Sequence, residues 1–188
     1  MKRTAAVILA AGASTRLGKP KQMELLGGET LLDRAVRLAT EIGCDPVVVV
    51  LGASADAIQA QCALRGAQVL FNGEWAEGMG SSVRVGVGAL EEEIEAAVLM
   101  VCDQPAVTHS HLTQLLSWDG AGPLASRYAG RQGVPALFPK SSFGMLRALV
   151  GDAGARALLK TAQALDLPDG ELDIDTPRML AEARARYR

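Results

Sequence analysis

Apolar positions along this chain fall into short unbroken runs, separated by stretches in which they recur every three or four residues. Ala5-Ala6-Val7-Ile8-Leu9, Pro46-Val47-Val48-Val49-Val50-Leu51 and Ala96-Ala97-Val98-Leu99-Met100-Val101-Cys102 carry no polar interruption. Such runs predict strands covered on both faces. Gln68-Val69-Leu70-Phe71 predicts a shorter strand. Between these runs, Leu31, Leu32, Ala35, Val36 and Ala39 form one helical stripe, with Thr30 placed to cap it and Gly43 to end it. Ser54 or Asp56 opens a second helix running to about Arg65. Ser81 or Ser82 caps a third through Leu90. Gly86 and Gly88 lie inside that helix, each costing about 1 kcal/mol against Ala, and close approach to the sheet is the reason expected for both. Thr108 starts a helix through Leu115-Leu116, on which His109 and His111 read as surface residues.

The second half is less regular. Pro123–Tyr128 and Val134–Phe138 predict strands joined by a Gly130-Arg131-Gln132-Gly133 hairpin. Short helices follow over Phe143–Val150 and Ala155–Thr161, with Asp152 a candidate cap. Leu165-Asp166-Leu167 predicts an edge strand, and Pro177 sits in the first turn of a final helix capped by Asp175 or Thr176. Strand–helix alternation implies right-handed crossovers. The expected class is therefore α/β, three layers of α/β/α with a mostly parallel central sheet. No repeat or linker breaks the chain, so residues 1–188 are expected to form one domain.

Composition narrows the function. The chain has 188 residues and a net charge of −2, which supplies no electrostatic reason for a nucleic-acid partner. Aromatic residues are 4%, too few for a base-stacking surface. The apolar runs are far shorter than a membrane span, and Gly12 and Arg16 follow the basic Met1-Lys2-Arg3-Thr4 start too soon for a signal peptide. Cys44, Cys62 and Cys102 form no C-x-x-C pair, which suits a reducing cytoplasm. Cys102 reads as a buried residue at a strand end.

The chemistry concentrates after the first strand, in Leu9-Ala10-Ala11-Gly12-Ala13-Ser14-Thr15-Arg16-Leu17-Gly18-Lys19-Pro20-Lys21. Small residues let the backbone approach a ligand, and Arg16, Lys19 and Lys21 follow. Bare amides followed by cations at the carboxyl end of a first strand suggest a phosphate site. It is not a P-loop: five residues separate Gly12 from Gly18, and Pro20 stands where a hydroxyl is needed. Nor is it a dinucleotide fingerprint, because Ser14 and Leu17 occupy glycine positions and Val50-Leu51-Gly52 carries no acid for a ribose. Asp103, in Asp103-Gln104-Pro105, ends the central strand. An acid beside a phosphate site calls for a cation between them, most naturally magnesium.

The loop resembles the signature of the MobA-like nucleotidyltransferases, L-A-[AG]-G-x-S-x-R-[ML]-G-x-x-K, matched from Leu9 to Lys21. The resemblance continues through Asn72-Gly73-Glu74-Trp75-Ala76-Glu77-Gly78-Met79-Gly80-Ser81-Ser82, Asp103-Gln104-Pro105, Gly151-Asp152-Ala153-Gly154-Ala155-Arg156 and Asp175-Thr176-Pro177. It covers about residues 4 to 180 and points, within that group, to the molybdenum cofactor cytidylyltransferases. The fold implied is the Rossmann-like, nucleotide-diphospho-sugar transferase type. The chemistry implied is attack of an acceptor phosphate on the α-phosphorus of a nucleoside triphosphate, with pyrophosphate leaving. The resemblance implies Arg16, Lys21 and Asp103 as catalytic residues. It implies nucleotide contacts from Leu9, Ala10, Ala11, Gly12, Ala13, Lys21, Gly80, Ser81, Ser82 and Asp103, with Mg2+ on Asp103 and Asp175. Gln104, Gly151, Asp152 and Arg156 are the implied acceptor contacts. Members reading Leu-Ala-Ala-Gly, as here, tend to use CTP, so CTP, a molybdopterin-type acceptor and a client molybdoenzyme are the partners expected. Where some members read Gly-His-Pro, this chain reads Gly133-Val134-Pro135, which leaves its acceptor contacts open. The alternatives are transfer to another phosphorylated acceptor such as a sugar phosphate, or non-catalytic binding of nucleotide or pterin as a cofactor chaperone.

Overall fold

Nine strands and seven α-helices are present among the described residues, 3–152 and 154–187, of this computed structural model. Met1, Lys2 and Ala153, parts of the motifs above, lie outside them. The strands are β1 (Thr4–Ala10), β2 (Leu25–Leu26), β3 (Glu29–Thr30), β4 (Val47–Leu51), β5 (Gln68–Phe71), β6 (Ala96–Val101), β7 (Leu124–Tyr128), β8 (Arg131–Pro139) and β9 (Gln163–Asp166). The helices are α1 (Leu31–Glu41), α2 (Ala55–Gln61), α3 (Met79–Gly88), α4 (His109–Leu116), α5 (Phe143–Arg147), α6 (Arg156–Leu159) and α7 (Pro177–Arg186). The main sheet has the order β5-β4-β1-β6-β8-β7-β9, and β2 and β3 pair as a separate ribbon. Only β8 runs against the other six strands of the main sheet.

The apolar runs are buried on both faces because each strand feeds two cores. In β1, Ala6, Ile8 and Ala10 pack into one core with α1, α2, α4 and α7, while Ala5, Val7 and Leu9 pack into the other with α3 and α5. The three α/β/α layers are therefore written in β1 itself by its period of two. Thr30 caps α1 by accepting from the Asp33 amide at 3.0 Å.

Several expected boundaries differ. α3 starts at Met79 with Gly78 as its cap, not at Ser81 or Ser82, whose hydroxyls are bound by the Asn72 side chain. Gly86 does lie against the sheet: an added Cβ would collide with Val7. Gly88 has open space around it, so close approach does not explain it. His111 is buried, not on the surface, and its Nε2 lies 2.7 Å from Ser126 Oγ. α2 ends at Gln61 and α5 at Arg147, earlier than their patterns suggest. Asp152 does not cap α6, which begins at Arg156 behind Ala155. No helix is long and apolar enough to cross a membrane among the described residues.

Candidate active site

β1 and β6 are neighbours and parallel, so their carboxyl ends bring the signature loop and the Asp103 turn together. Pro20 leads into a single 3-10 turn, Lys21–Met23, which returns the chain toward β1. There the Lys21 amide donates to Ser14 Oγ at 3.1 Å. Asp175 comes from far along the chain. The Ile174 amide donates to the Asp103 carbonyl at 2.9 Å, which lays the 173–175 segment beside Asp103. Thr176, not Asp175, caps α7, accepting from the Met179 amide at 3.3 Å. The Asp175 carboxylate is thereby left for the site.

Lys21 Nζ lies 2.5 Å from Asp103 Oδ2 and 2.6 Å from Asp175 Oδ1. Arg16 Nη2 lies 2.6 Å from Asp175 Oδ2, its side chain mostly exposed. Burial alone would lower the Lys21 pKa, but the charges and hydrogen bonds of Asp103 and Asp175 outweigh it and hold the ammonium above its ordinary range. Burial likewise pushes Asp175 upward, and Lys21 and Arg16 reverse that, leaving it below the usual carboxylate value. For Asp173 the nearby charges of Arg131 and Lys21 do not compensate fully. Burial, then repulsion by Asp103 and Asp175, pushes it up to about 6. Lys19 is turned away and pairs with Glu24 at 2.7 Å. Burial raises the Cys102 thiol to about 12, so it is no nucleophile.

Two cavities open near the carboxyl ends of β1 and β6, and Asp103 of this cluster lines one of them. The first is lined by Leu9, Ala11, Gly12, Trp75, Met79 and Ser82, among others. The second is lined by Asp103, Gln104, Tyr128, Arg131, Gln132 and Arg156, among others. Met79 and Asp152 line both. The wall between them is held by the Gly80 amide donating to Gly151 O at 2.9 Å, and by Gly78, where any Cβ would strike Asp152.

Of the expected nucleotide residues, Leu9, Ala11, Gly12 and Ser82 line the first cavity. Ala10 turns its carbonyl to Gln22. Ala13 is half-buried next to Gly12 and does not line it. Gly80 serves the wall. Ser81 is fully buried, donating to the Glu74 and Gly78 carbonyls. Of the acceptor residues, Gln104, Asp152 and Arg156 line the second cavity and Gly151 does not. Tyr128, Arg131 and Gln132 were not foreseen; they share the β7–β8 hairpin, and Arg131 stacks 5.3 Å from the Tyr128 ring centroid. Gln22 was also missed. Its signal was a polar residue beside Lys21 at a position that turned out buried.

The site suits a divalent cation. Asp103 Oδ1 is buried without a hydrogen-bond partner, and the available donors are hard carboxylate oxygens. No group of three His, Cys, Asp or Glu side chains converges as a cage among the described residues. One or two carboxylates completed by phosphates is the arrangement magnesium commonly takes.

The molecule is similar to several known proteins. Rv0371c of Mycobacterium tuberculosis H37Rv superposes with a TM-score of 0.84 at 30% identity, covering 98% of each chain. The same protein solved in complex with manganese gives 0.82 at 29% identity, over 98% of this chain and 99% of that one. Nicotine blue oxidoreductase of Paenarthrobacter nicotinovorans is 35% identical over 187 residues, 90% of this chain and 91% of that protein. The molybdenum cofactor cytidylyltransferase of Escherichia coli (strain K12) is 26% identical over 186 residues, covering 96% of this chain and 95% of that one. The family model for the MobA-like NTP transferase domain matches residues 6–167, a span holding the signature loop, Asp103 and both cavities' principal walls. This chain belongs to the MobA-like NTP transferase family and is a nucleotidyltransferase of that type.

Proposed function

We propose that this nucleotidyltransferase moves CMP from CTP to the phosphate of a molybdopterin-type acceptor, releasing pyrophosphate. The observation carrying this reading is the pair of adjoining cavities that share Met79 and Asp152, one of them lined by Asp103, the carboxylate that Lys21 holds. One cavity takes the nucleoside against Leu9, Ala11 and Trp75. The other takes the acceptor, with Arg131 and Arg156 supplying positive charge. The acceptor phosphate oxygen forms a bond to the α-phosphorus as the bond to the bridging oxygen of pyrophosphate breaks. A phosphate monoester has its second pKa near 6, so it arrives ionised and needs no side-chain base. Lys21, held protonated, is not such a base; it and Arg16 neutralise the charge on the phosphates. Asp103 and Asp175 would hold Mg2+, which supplies further charge neutralisation between the phosphates when bound. The manganese complex of Rv0371c supports a divalent ion in this fold.

CTP is favoured because the Ala11 methyl borders the nucleoside cavity. It narrows the slot beside the backbone, where a pyrimidine fits better than a purine. The likeness to the E. coli cytidylyltransferase supports the same acceptor class. The reading is tested by pyrophosphate release across four triphosphates, with molybdopterin-type and sugar-phosphate acceptors. Release with CTP and the pterin acceptor is expected. Release only with a sugar phosphate, or no release with tight triphosphate binding, would replace it with one of the alternatives.

A further inference from the structure

Gln22 is 1% exposed, yet it is a polar side chain in the core beneath the signature loop. Its Nε2 donates to Ala10 O at 2.7 Å and to Gly12 O at 3.2 Å. Both partners are carbonyls, so only the NH2 end of the carboxamide can serve there. Its Oε1 has no hydrogen-bond partner in the protein. The side chain is therefore committed through its donors alone, and a buried unpaired oxygen is a cost to stability that packing does not require.

From this geometry we infer that Gln22 is a positioning residue that aims the loop's backbone at the nucleotide phosphates. A trans peptide unit points its N–H opposite to its C=O. The Gly12–Ala13 unit is not among the cis bonds of the chain. With the Gly12 carbonyl drawn down onto buried Gln22, the Ala13 N–H points to the opposite, open side. Gly12 there is exposed and Ala13 half-exposed. The tie to Ala10 O fixes the end of β1 from which the loop springs. Gln22 belongs to the same 3-10 turn as Lys21. One turn thus sets the Lys21 ammonium and the Ala13 amide in a fixed relation, two positive groups facing one anion.

This inference rests on the nucleotidyltransferase reading above. The test uses the full chain and two variants. Gln22→Met keeps length and apolar bulk but removes both donors, and Gln22→Asn keeps the amide on a stem too short for both carbonyls. Binding of CTP and of cytidine is measured by calorimetry or chemical-shift titration, or with whichever triphosphate and nucleoside pair the wild type prefers. Both variants are expected to weaken triphosphate binding at least tenfold while leaving nucleoside binding within twofold, because the nucleoside touches the cavity walls and not the amide. An unchanged triphosphate Kd, or equal weakening of both ligands in both folded variants, would overturn the inference. A wild type that binds no triphosphate would instead overturn the transferase reading.

Discussion

Lys21 reaches Asp103 across 82 positions of sequence to make a 2.5 Å contact, with both side chains largely shielded from water. Each alone is an ordinary residue type, Lys21 in a 3-10 turn and Asp103 just past β6. Together, with Asp175 also on the ammonium, they form the cluster at which the proposed transfer would manage a triphosphate's charge.

That pairing separates two neighbouring lysines. Lys21→Ala is expected to lower kcat/KM at least tenfold, which is about 1.4 kcal/mol of transition-state stabilisation. Lys19→Ala removes only a half-exposed pair with Glu24, and exposed pairs contribute about 0–1 kcal/mol. Steady-state kinetics of the two variants should differ clearly; small and equal losses would show that the cluster is not the phosphate site.

The carboxylates should behave as ligands more than as supports. Asp103→Asn is expected to abolish turnover with a shift of only a few degrees in Tm, since Lys21 retains Asp175 and the new amide oxygen still accepts from it. Chelation should stop the wild type and added Mg2+ restore it. Asp175→Asn should raise the Mg2+ concentration needed for half-maximal rate. Full activity in chelator would remove the metal from the account.

Two glycines in α3 make opposite structural predictions. Gly86→Ala pushes a methyl into Val7, and overpacking of this kind costs about 1–3 kcal/mol. Gly88→Ala meets open space and should be neutral or stabilising by up to about 1 kcal/mol. Denaturant melts of both variants check the pair, and a destabilising Gly88→Ala would mean that α3 packs differently.

His111 supplies a pH dependence. Ser126 Oγ donates to Pro135 O at 2.6 Å, so that oxygen accepts from His111 Nε2–H. Burial lowers the His111 pKa below its ordinary 6.5. The unfolded chain then binds more protons than the folded one between the lowered value and 6.5, so stability rises with pH across that window. It is full above 6.5 and is lost as pH falls. Melts at several pH values should show this slope, and His111→Gln should remove it; an identical slope in the variant would assign it elsewhere.

Period-two burial in β1, β4 and β6 and the caps at Thr30 and Thr108 follow from local residue type and can be read from the chain alone, whereas for α7 the chain offers Asp175 or Thr176 and the structure selects Thr176. Asp103 is legible because it follows the carboxyl end of a strand that must be central, and Lys21 because it closes the signature loop that follows another. Other features depend on partners distant in sequence. Ser81 looks like a cap but is consumed by Asn72, and His111 looks exposed until Ser126 arrives from β7. Tyr128, Arg131 and Gln132 enter the cavity beside Asp103 only because β8 inserts antiparallel between β6 and β7. Gln22 carries no motif of its own; its role comes from the carbonyls that the loop turns toward it.

The proposed function stands on group transfer between the two adjoining cavities. Mass analysis of the acceptor after incubation with CTP, Mg2+ and a molybdopterin-type phosphate tests it most directly. The account predicts an acceptor heavier by one CMP unit, formed with one pyrophosphate per product and in at least tenfold preference over GTP. An unchanged acceptor beside intact CTP, or equal use of GTP, would contradict it.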